Sequence, residues 1–168
     1  QTCALPILGL EKEDPASKAY YKTFSSAMQR IMTSYCQAGG NLFVSGAYVG
    51  SDMSGTQGNR EFTEKILKYG YQGSLTDKSS NQIKGLGRTI TIPRLPNESS
   101  YAVPAADCIV PVDTAFPVFT YAPGNQSAGI AYKGNYRTFV LGFPFESIQS
   151  EADRATIMAG ILGFFTQK

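Results

Sequence analysis

The 168-residue chain contains no histidine and no tryptophan, and it carries little net charge. Without histidine it cannot form Ser-His or Cys-His nucleophile pairs or a His-ligated metal site from its own residues. Fifteen basic against thirteen acidic side chains leave a net charge of +2, which is too small and too scattered for a nucleic-acid-binding surface. No apolar run reaches the roughly 20 residues that a membrane span requires. The length suits one domain with its own core.

The first seven residues read as a cloning artefact. Residues 1–7, Gln-Thr-Cys-Ala-Leu-Pro-Ile, are the translation of CAGACGTGTGCTCTTCCGATC, the end of a common short-read sequencing adapter. We interpret them as a sequencing-adapter scar and exclude them, with Cys3, from fold reasoning. The other cysteines, Cys36 and Cys108, have no CxxC spacing and predict neither a zinc site nor a firm disulfide. Residues 8–168 are expected to form a single domain, as a fragment lacking its N-terminal strands and any signal peptide.

Helical and strand-like patterns alternate along the chain. Apolar spacing predicts helices over residues 24–35, 59–70 and 150–165, with Asn59 and Ser150 as N-caps and Gly39 and Gly70 as terminators. Short apolar runs predict strands at residues 8–10, 42–44, 109–110, 118–119, 128–132 and 136–142. The alternating stretch at 71–97 predicts a hairpin or two edge strands. The whole pattern predicts an α/β layered sheet, mainly parallel, with a β-rich insertion and a late β meander at one edge.

The turn that follows the strand at 42–44 is the first candidate site. In open α/β sheets, ligands bind beyond the carboxyl ends of the strands. Here Ser45, Tyr48 and Asp52 supply a hydroxyl, a phenol and a carboxylate within eight residues. The turn has neither a phosphate-loop motif nor a GxSxG nucleophile elbow. Two interpretations are open, a ligand-binding turn and a tight turn in which Ser45 and Asp52 cap backbone groups, and the second is favoured.

Other residue groups offer further candidates. Glu146 follows the strand at 136–142 beside aromatic residues, where a carboxylate can act as an acid or cap a helical turn. The aromatic stretch at 115–121, with Tyr132 and Tyr136, can stack on sugar rings, although one packed face of a sheet explains the same spacing. Acidic residues have no metal-loop spacing, so neither a metal nor another cofactor is predicted.

Two segments resemble class I glutamine-amidotransferase-like domains, which have a flavodoxin-like fold. Residues 39–46, Gly-Gly-Asn-Leu-Phe-Val-Ser-Gly, resemble the strand before their nucleophile, and residues 136–146 resemble their last catalytic strand. That strand ends in Phe-His-Pro-Glu in active enzymes. Here Phe143 and Glu146 match, Pro144 replaces the histidine, and Ser45 with its two following residues replaces the cysteine nucleophile. The resemblance therefore implies the fold without glutaminase activity.

A longer motif is similar to golvesin/xanthan-lyase-type multidomain proteins secreted by bacteria. Residues 38–53, Ala-Gly-Gly-Asn-Leu-Phe-Val-Ser-Gly-Ala-Tyr-Val-Gly-Ser-Asp-Met, carry this resemblance, which extends over residues 8–168. It implies a catalytically inactive module of a secreted, periplasmic or cell-surface polysaccharide-processing protein, with a scaffold or glycan-contact role. The expected partners are an acidic polysaccharide and other domains of the same chain.

The alternative is a polysaccharide lyase that acts by uronate β-elimination. Such a reaction needs a base for the C5 proton and a group that neutralises the carboxylate. Tyr48 is the candidate base, and Arg137 or Lys133 the candidate neutralising group. No motif in the sequence places these residues together.

Overall fold

The computed structural model describes residues 13–14, 19–20, 22–75, 81–93, 102–103, 105–122 and 124–167. The predicted scar and the predicted strand at 8–10 lie outside these ranges. The helices are α1 (Ser26–Gln37), α2 (Gln57–Phe62) and α3 (Glu151–Thr166), with a π-helical turn at Thr63–Leu67 and a 3-10 turn at Phe145–Ser147. The strands are β1 (Glu13–Asp14), β2 (Ala19–Tyr20), β3 (Asn41–Ser45), β4 (Tyr69–Ser74), β5 (Gln82–Gly85), β6 (Arg88–Thr91), β7 (Asp107–Pro111), β8 (Phe116–Ala122), β9 (Ser127–Lys133) and β10 (Arg137–Leu141). None of the helices in the described ranges is long and apolar enough to cross a bilayer.

The central feature is a mixed six-stranded sheet that curls into a half barrel. Its strand order is β3-β10-β9-β8-β5-β6. Only β3 and β10 pair in parallel, and every other neighbouring pair in this sheet is antiparallel. Strands β4 and β7 form a separate antiparallel pair, as do β1 and β2.

This topology shows that the predicted fold class, a mainly parallel flavodoxin-like layered sheet, is wrong. The connections between the late strands explain why. Only residues 123–126 separate β8 from β9, and only residues 134–136 separate β9 from β10. Parallel neighbours require a crossover of about a dozen residues or more, so these short turns impose antiparallel pairing. The late meander was predicted at one edge of the sheet. It lies in the middle, because β3 pairs with β10 on one side and β5 pairs with β8 on the other.

The sheet is covered by apolar side chains on both faces. On one face, Phe43 and Phe139 pack with Ile157 and Ile161 of α3. On the other face, the strand residues Leu42, Val44, Ile130 and Val140 pack with Met32 and Cys36 of α1, Phe62 of α2, and Leu67, Tyr69 and Ile109. Adjacent residues of β3 therefore contribute to different cores, which confirms the prediction of a strand buried on both faces.

The first two helices differ in how well the sequence predicts their limits. Helix α1 ends before Gly39, whose φ of +86° suits a glycine in the left-handed region. For α2 the predicted cap is wrong, because the Thr56 hydroxyl accepts from the Asn59 N–H at 3.3 Å. The helix then widens into the π-helical turn and ends at Lys68, with φ +67°, so Gly70 lies within β4 instead of ending a helix.

The β5–β6 hairpin confirms the alternating pattern, but it is not an insertion. Strand β5 pairs with β8, so the hairpin extends the main sheet and β6 forms its edge. Pro117 lies within β8, next to a shift in the β8–β9 register. A bulge is one of the few places where a strand accommodates a residue without an N–H donor.

Candidate functional site

The turn after β3 holds two of the predicted site residues in structural hydrogen bonds. The Ser45 hydroxyl accepts from the Phe145 N–H at 3.3 Å and so connects β3 to the 3-10 turn. The buried Asp52 carboxylate accepts from the Thr23 N–H at 2.8 Å, and Lys22 Nζ lies 3.5 Å from its Oδ1. The Asp52 contacts fasten the turn to the segment before α1, and in both residues the side chain caps a backbone N–H.

Tyr48 and Glu146 lie at the same edge of the sheet. Tyr48 is half-buried within the turn, and its carbonyl accepts from the Thr23 hydroxyl at 3.4 Å. Glu146 is exposed on the 3-10 turn, whose first residue contacts Ser45. Ser45, Tyr48, Asp52 and Glu146 therefore all follow the carboxyl ends of β3 and β10, the one parallel pair of this sheet.

A further buried carboxylate at this edge belongs to Asp107, for which no role was predicted from the sequence. Its Oδ2 accepts from the N–H groups of Gly50 at 2.8 Å and Ser51 at 2.9 Å, and from the Ser51 hydroxyl at 3.3 Å. Its Oδ1 accepts from the Ser74 hydroxyl at 2.8 Å, which in turn lies 2.8 Å from the Tyr71 hydroxyl. Burial raises the pKa of Asp107, and the donors from Ser51, Ser74 and Gly50 act in the opposite direction. Asp107 thus joins β7, β4 and the turn after β3.

One signal in the sequence pointed to Asp107. It opens the run Asp-Cys-Ile-Val, so a carboxylate stands directly before an apolar strand. A buried carboxylate needs donors, but those donors come from residues 50–51 and 74, which sequence spacing does not associate with β7.

The proposed lyase residues lie at opposite edges of the sheet. Arg137 pairs with Asn41 at the start of β3, whereas Tyr48 follows the end of that strand. Leu141, the partner of Ser45, lies four positions after Arg137 in β10. This separation corresponds to about 13 Å along the strand. Lys133 pairs with Arg137 and shares its edge. The structure therefore does not bring Tyr48 together with either proposed neutralising residue.

The amino edge of β3 and β10 contains a cleft of about 520 Å³. The end of α1, the start of β3, the β9–β10 turn and the end of α3 form its walls. The lining residues are Gly39, Asn41, Gly134, Asn135, Tyr136, Arg137, Leu162, Phe165, Thr166 and Gln167. Its volume lies within the range of about 300–1,000 Å³ typical of small-ligand sites. We refer to it below as the amino-edge cleft.

Tyr136 borders this cleft, but its side chain lies on the other face of the sheet, where it packs beside the π-helical turn. Its hydroxyl donates to the carbonyls of Ile66 at 2.8 Å and Lys65 at 3.2 Å. The Thr138 hydroxyl similarly donates to the Leu67 carbonyl at 3.1 Å. Burial raises the pKa of Tyr136, so it is a neutral donor near neutral pH. Because both hydroxyls satisfy carbonyls of the irregular turn, the Tyr136 ring is held in one orientation.

Arg137 fastens the wall of the cleft that the end of α3 forms. Its Nη1 donates to the Phe165 carbonyl and its Nη2 donates to the Gln167 carbonyl, both at the end of α3. A cation at a helix C-terminus interacts favourably with the helix dipole. Asn41 Nδ2 lies 3.4 Å from the same Phe165 carbonyl. These contacts hold α3 against the amino ends of β3 and β10.

Neither a metal centre nor a reactive thiol stands out in the described ranges. They include no group of three or more His, Cys, Asp or Glu residues placed to hold a metal ion. Cys36 and Cys108 are buried free thiols, and burial raises the pKa of each to about 11. Such thiols are poor nucleophiles at neutral pH.

Comparisons with known proteins identify a shared fold. No protein-family model matches the chain, and no curated protein matches it. The mmIFT52 N-terminal domain superposes with a TM-score of 0.57 at 15% identity, covering 86% of this chain and 73% of that domain. The exo-β-1,4-mannosidase Op5Man5 from Opitutaceae bacterium strain TAV5 gives 0.51 at 13% identity, covering 86% of this chain but only 24% of the enzyme.

These similarities correct the family assignment made from sequence. Identities of 15% and 13% establish similarity of fold alone. The mixed half-barrel sheet and its resemblance to the mmIFT52 domain show that the glutamine-amidotransferase-like and flavodoxin-like assignment is wrong. The Gly-Gly-Asn-Leu-Phe-Val-Ser-Gly motif correctly marks a helix end and a buried strand, but a short motif of that kind does not determine the direction of the remaining strands.

Proposed function

We propose that this chain is a non-catalytic, glycan-contacting module of a larger polysaccharide-processing protein. The amino-edge cleft is the observation that carries the proposal. Its lining residues combine polar side chains, those of Asn41, Asn135 and Thr166, with the apolar side chains of Leu162 and Phe165. Apolar surface beside hydrogen-bonding groups suits a sugar ring, which has an apolar face and polar edges.

The mannosidase comparison supports the modular part of the proposal. This chain spans about a quarter of that enzyme, so there the same fold occurs as one part of a longer glycan-hydrolysing chain. By analogy, we expect this chain to act beside other domains. Secretion, or a periplasmic or cell-surface location, belongs to the same proposal and follows from the glycan role.

The non-catalytic part rests on the carboxyl edge of the sheet. Ser45, Asp52 and Asp107 each bond to a backbone N–H of another segment, and these bonds define the local fold. A base or nucleophile has to be positioned toward a substrate. Using these groups for catalysis would break the contacts that hold the turn after β3.

Uronate β-elimination is the alternative function, and the experiment must distinguish it from glycan binding without catalysis. Because Tyr48 and Arg137 lie at opposite edges of the sheet, the geometry does not favour this pair. A lyase would need a base and a neutralising group from elsewhere in the chain.

The first experiment is to incubate the full chain with a panel of neutral and acidic polysaccharides, xanthan included. Binding is followed by affinity electrophoresis, and elimination by the ultraviolet absorbance of unsaturated uronate ends. We expect retarded migration on at least one polymer and no new absorbance. New absorbance would contradict the non-catalytic role, and unchanged migration on every polymer would contradict glycan contact.

A further inference from the structure

We propose that the outer face of α3 is the interface of a two-fold symmetric dimer, in which the α3 helices of two copies of this chain pack antiparallel. The α3 outer face consists of the exposed residues Ala155, Ala159, Leu162, Gly163 and Thr166. Its lack of charge, its shape and its area together favour a second copy of the chain as the partner.

The α3 outer face carries no charge along more than three turns of helix. Residues 155–166 include no Asp, Glu, Lys or Arg, although the outer face is exposed. A surface helix normally presents charged and polar residues to water, and a helix that is apolar all round is typical of a buried position. A contiguous apolar surface of this kind indicates a contact with another protein surface.

Two large apolar side chains from the sheet widen this surface. Leu86, at the tip of the β5–β6 hairpin, is 40% exposed, and its Cδ1 lies 3.0 Å from the position that a Cβ on Gly160 would take. Phe116, at the start of β8, is 43% exposed, and its ring lies 6.2 Å from the Phe164 ring, centroid to centroid. Both side chains therefore rest against α3 and extend its apolar surface.

The shape of the α3 outer face suits contact with a copy of itself. Ala155, Ala159 and Gly163 follow one another at intervals of four residues, so they form a shallow groove along the helix. Leu162 lies about 160° around the helix from residue 160, against which Leu86 packs, so a large side chain borders the groove on each side. A two-fold axis pairs the same patch on both copies and can set these leucines beside the partner's groove.

The charges at the ends of α3 favour the antiparallel arrangement. Glu151 is exposed in the first turn, whereas Arg137 donates to the carbonyls at the end of the helix. Asp153 is paired with Arg88 at 3.8 Å, and Arg154 donates to carbonyls just before the helix. Antiparallel packing places Glu151 near the partner's Arg137, with the middle of each helix on the two-fold axis.

The area of this surface is close to the lower limit for a specific dimer. Helix α3 has 16 residues, which correspond to a length of about 24 Å. With Leu86 and Phe116 the apolar surface is about 20 Å wide, roughly two helix diameters. Two such surfaces bury about 1,000 Å² in total, the lower end of the range for specific interfaces. We therefore expect a reversible dimer with a Kd on the order of 10–100 µM.

The test is sedimentation velocity of the full chain in a reducing agent. We expect the weight-average mass to rise from that of one chain toward that of two between about 1 µM and about 1 mM. Leu162 and Thr166 also line the amino-edge cleft, so the samples contain no saccharide and the result does not depend on the proposed glycan contact.

Two variants locate the interface, and a third serves as a matched control. Ala159→Glu places two like charges beside the two-fold axis, so we expect Kd to rise at least about tenfold. Leu162→Ala removes a large apolar contact and should raise Kd about fivefold. Ala27→Glu makes the same substitution at an exposed position in the first turn of α1 and should leave Kd unchanged. If Ala159→Glu fails to fold by circular dichroism, Leu162→Ala decides the result.

Three outcomes would overturn the proposal. The mass of a single chain at every concentration would show that a second copy does not cover the α3 outer face. Growth beyond two copies would contradict a two-fold interface, which closes on itself. A dimer that survives both α3 variants with an unchanged Kd would have its interface elsewhere on the chain.

Discussion

Replacing Asp107 with alanine tests whether its carboxylate holds three segments of the fold together. The side chain is completely buried and accepts from Gly50, Ser51 and Ser74. Alanine removes every one of these acceptors. We therefore expect Asp107→Ala to destabilise the protein far more than a typical surface substitution.

The magnitude follows from which donors lose their partner. The Ser74 hydroxyl can still pair with Tyr71, 2.8 Å away. The N–H groups of Gly50, which is buried, and Ser51, which is half-buried, have no such alternative at 2.8–2.9 Å. A buried donor left without an acceptor costs about 1–3 kcal/mol, and removing a desolvated carboxylate offsets part of this, so we expect a net loss of about 2–4 kcal/mol.

Asp107→Asn is the matched control. Its amide oxygen can still accept from both backbone N–H groups, and its amide nitrogen can donate to the Ser74 hydroxyl. That hydroxyl can then donate to Tyr71, since either oxygen of the pair can be the donor. With all donors satisfied but the charge lost, the expected destabilisation is about 1 kcal/mol.

The assay is urea unfolding of the three proteins at pH 7, with amide hydrogen exchange at Gly50 and Ser51 as a local readout. In Asp107→Ala both amides should exchange faster relative to the rest of the chain. Equal destabilisation by alanine and asparagine, or unchanged local protection in the alanine variant, would refute the view that acceptance from these amides is what Asp107 contributes.

Four further predictions test packing, helix propensity, burial and titration. Gly142→Ala should destabilise by about 2 kcal/mol or more, because a Cβ there would lie 2.1 Å from the Asp107 carbonyl oxygen. Gly163→Ala, with open space around it in α3, should instead stabilise by about 0.5–1 kcal/mol in the same urea assay. Cys36 and Cys108 should resist a thiol reagent at neutral pH until urea unfolds the chain, and modification of either in the native protein, seen by peptide mass spectrometry, would contradict their burial. Because burial raises the pKa of Asp107 above its ordinary value of 3.8, the folded chain retains that proton to higher pH than the unfolded chain. The contribution of Asp107 to stability should therefore fall as pH rises from the unfolded pKa through the folded pKa. We expect the unfolding free energy of wild type to exceed that of Asp107→Asn by more near pH 3 than near pH 7. A difference that instead grows with rising pH would contradict the raised pKa of Asp107.

The sequence predicts individual elements better than their arrangement. The apolar run at 42–44 identified β3, and Gly39 marked the end of α1, because burial on both faces and a left-handed glycine are local signals. The Ser150 cap of α3 is equally local, and its hydroxyl accepts from the Asp153 N–H at 3.2 Å. Each of these predictions depends on residues within one element and its immediate neighbours.

Strand direction required information that helix and strand periodicity does not carry. Strand β7 ends at Pro111, and β8 includes Pro117 although proline has no N–H for the strand ladder. The short turns between β8, β9 and β10 indicate antiparallel pairing within the late meander, but its place in the middle of the sheet depends on β3 joining β10 and β5 joining β8. The motif resemblance then favoured a parallel sheet, and only the tertiary structure corrected it.

The candidate sites also depend on tertiary contacts that sequence periodicity does not reveal. Tyr136 was noted as an aromatic that can contact sugars and Arg137 as a cation, both from sequence. Their cleft depends on the end of α3 reaching the start of β10, which brings Phe165 and Gln167 to Arg137. Asp107 was missed for a similar reason, since its principal partners are 56 and 57 residues away in the chain.

The pairing of β3 with β10 also affects how the chain folds during synthesis. Asn41 pairs with Arg137, which is 96 residues further along the chain. At about 5–20 residues per second, a ribosome needs about 5–20 s to make the intervening segment. During that interval the apolar residues of β3 have no partner strand, whereas β8, β9 and β10 can pair with one another as soon as they emerge. We therefore expect the late meander to fold first and α1 with β3 to dock last, leaving α1 and β3 dependent on chaperones until β10 has emerged from the ribosome.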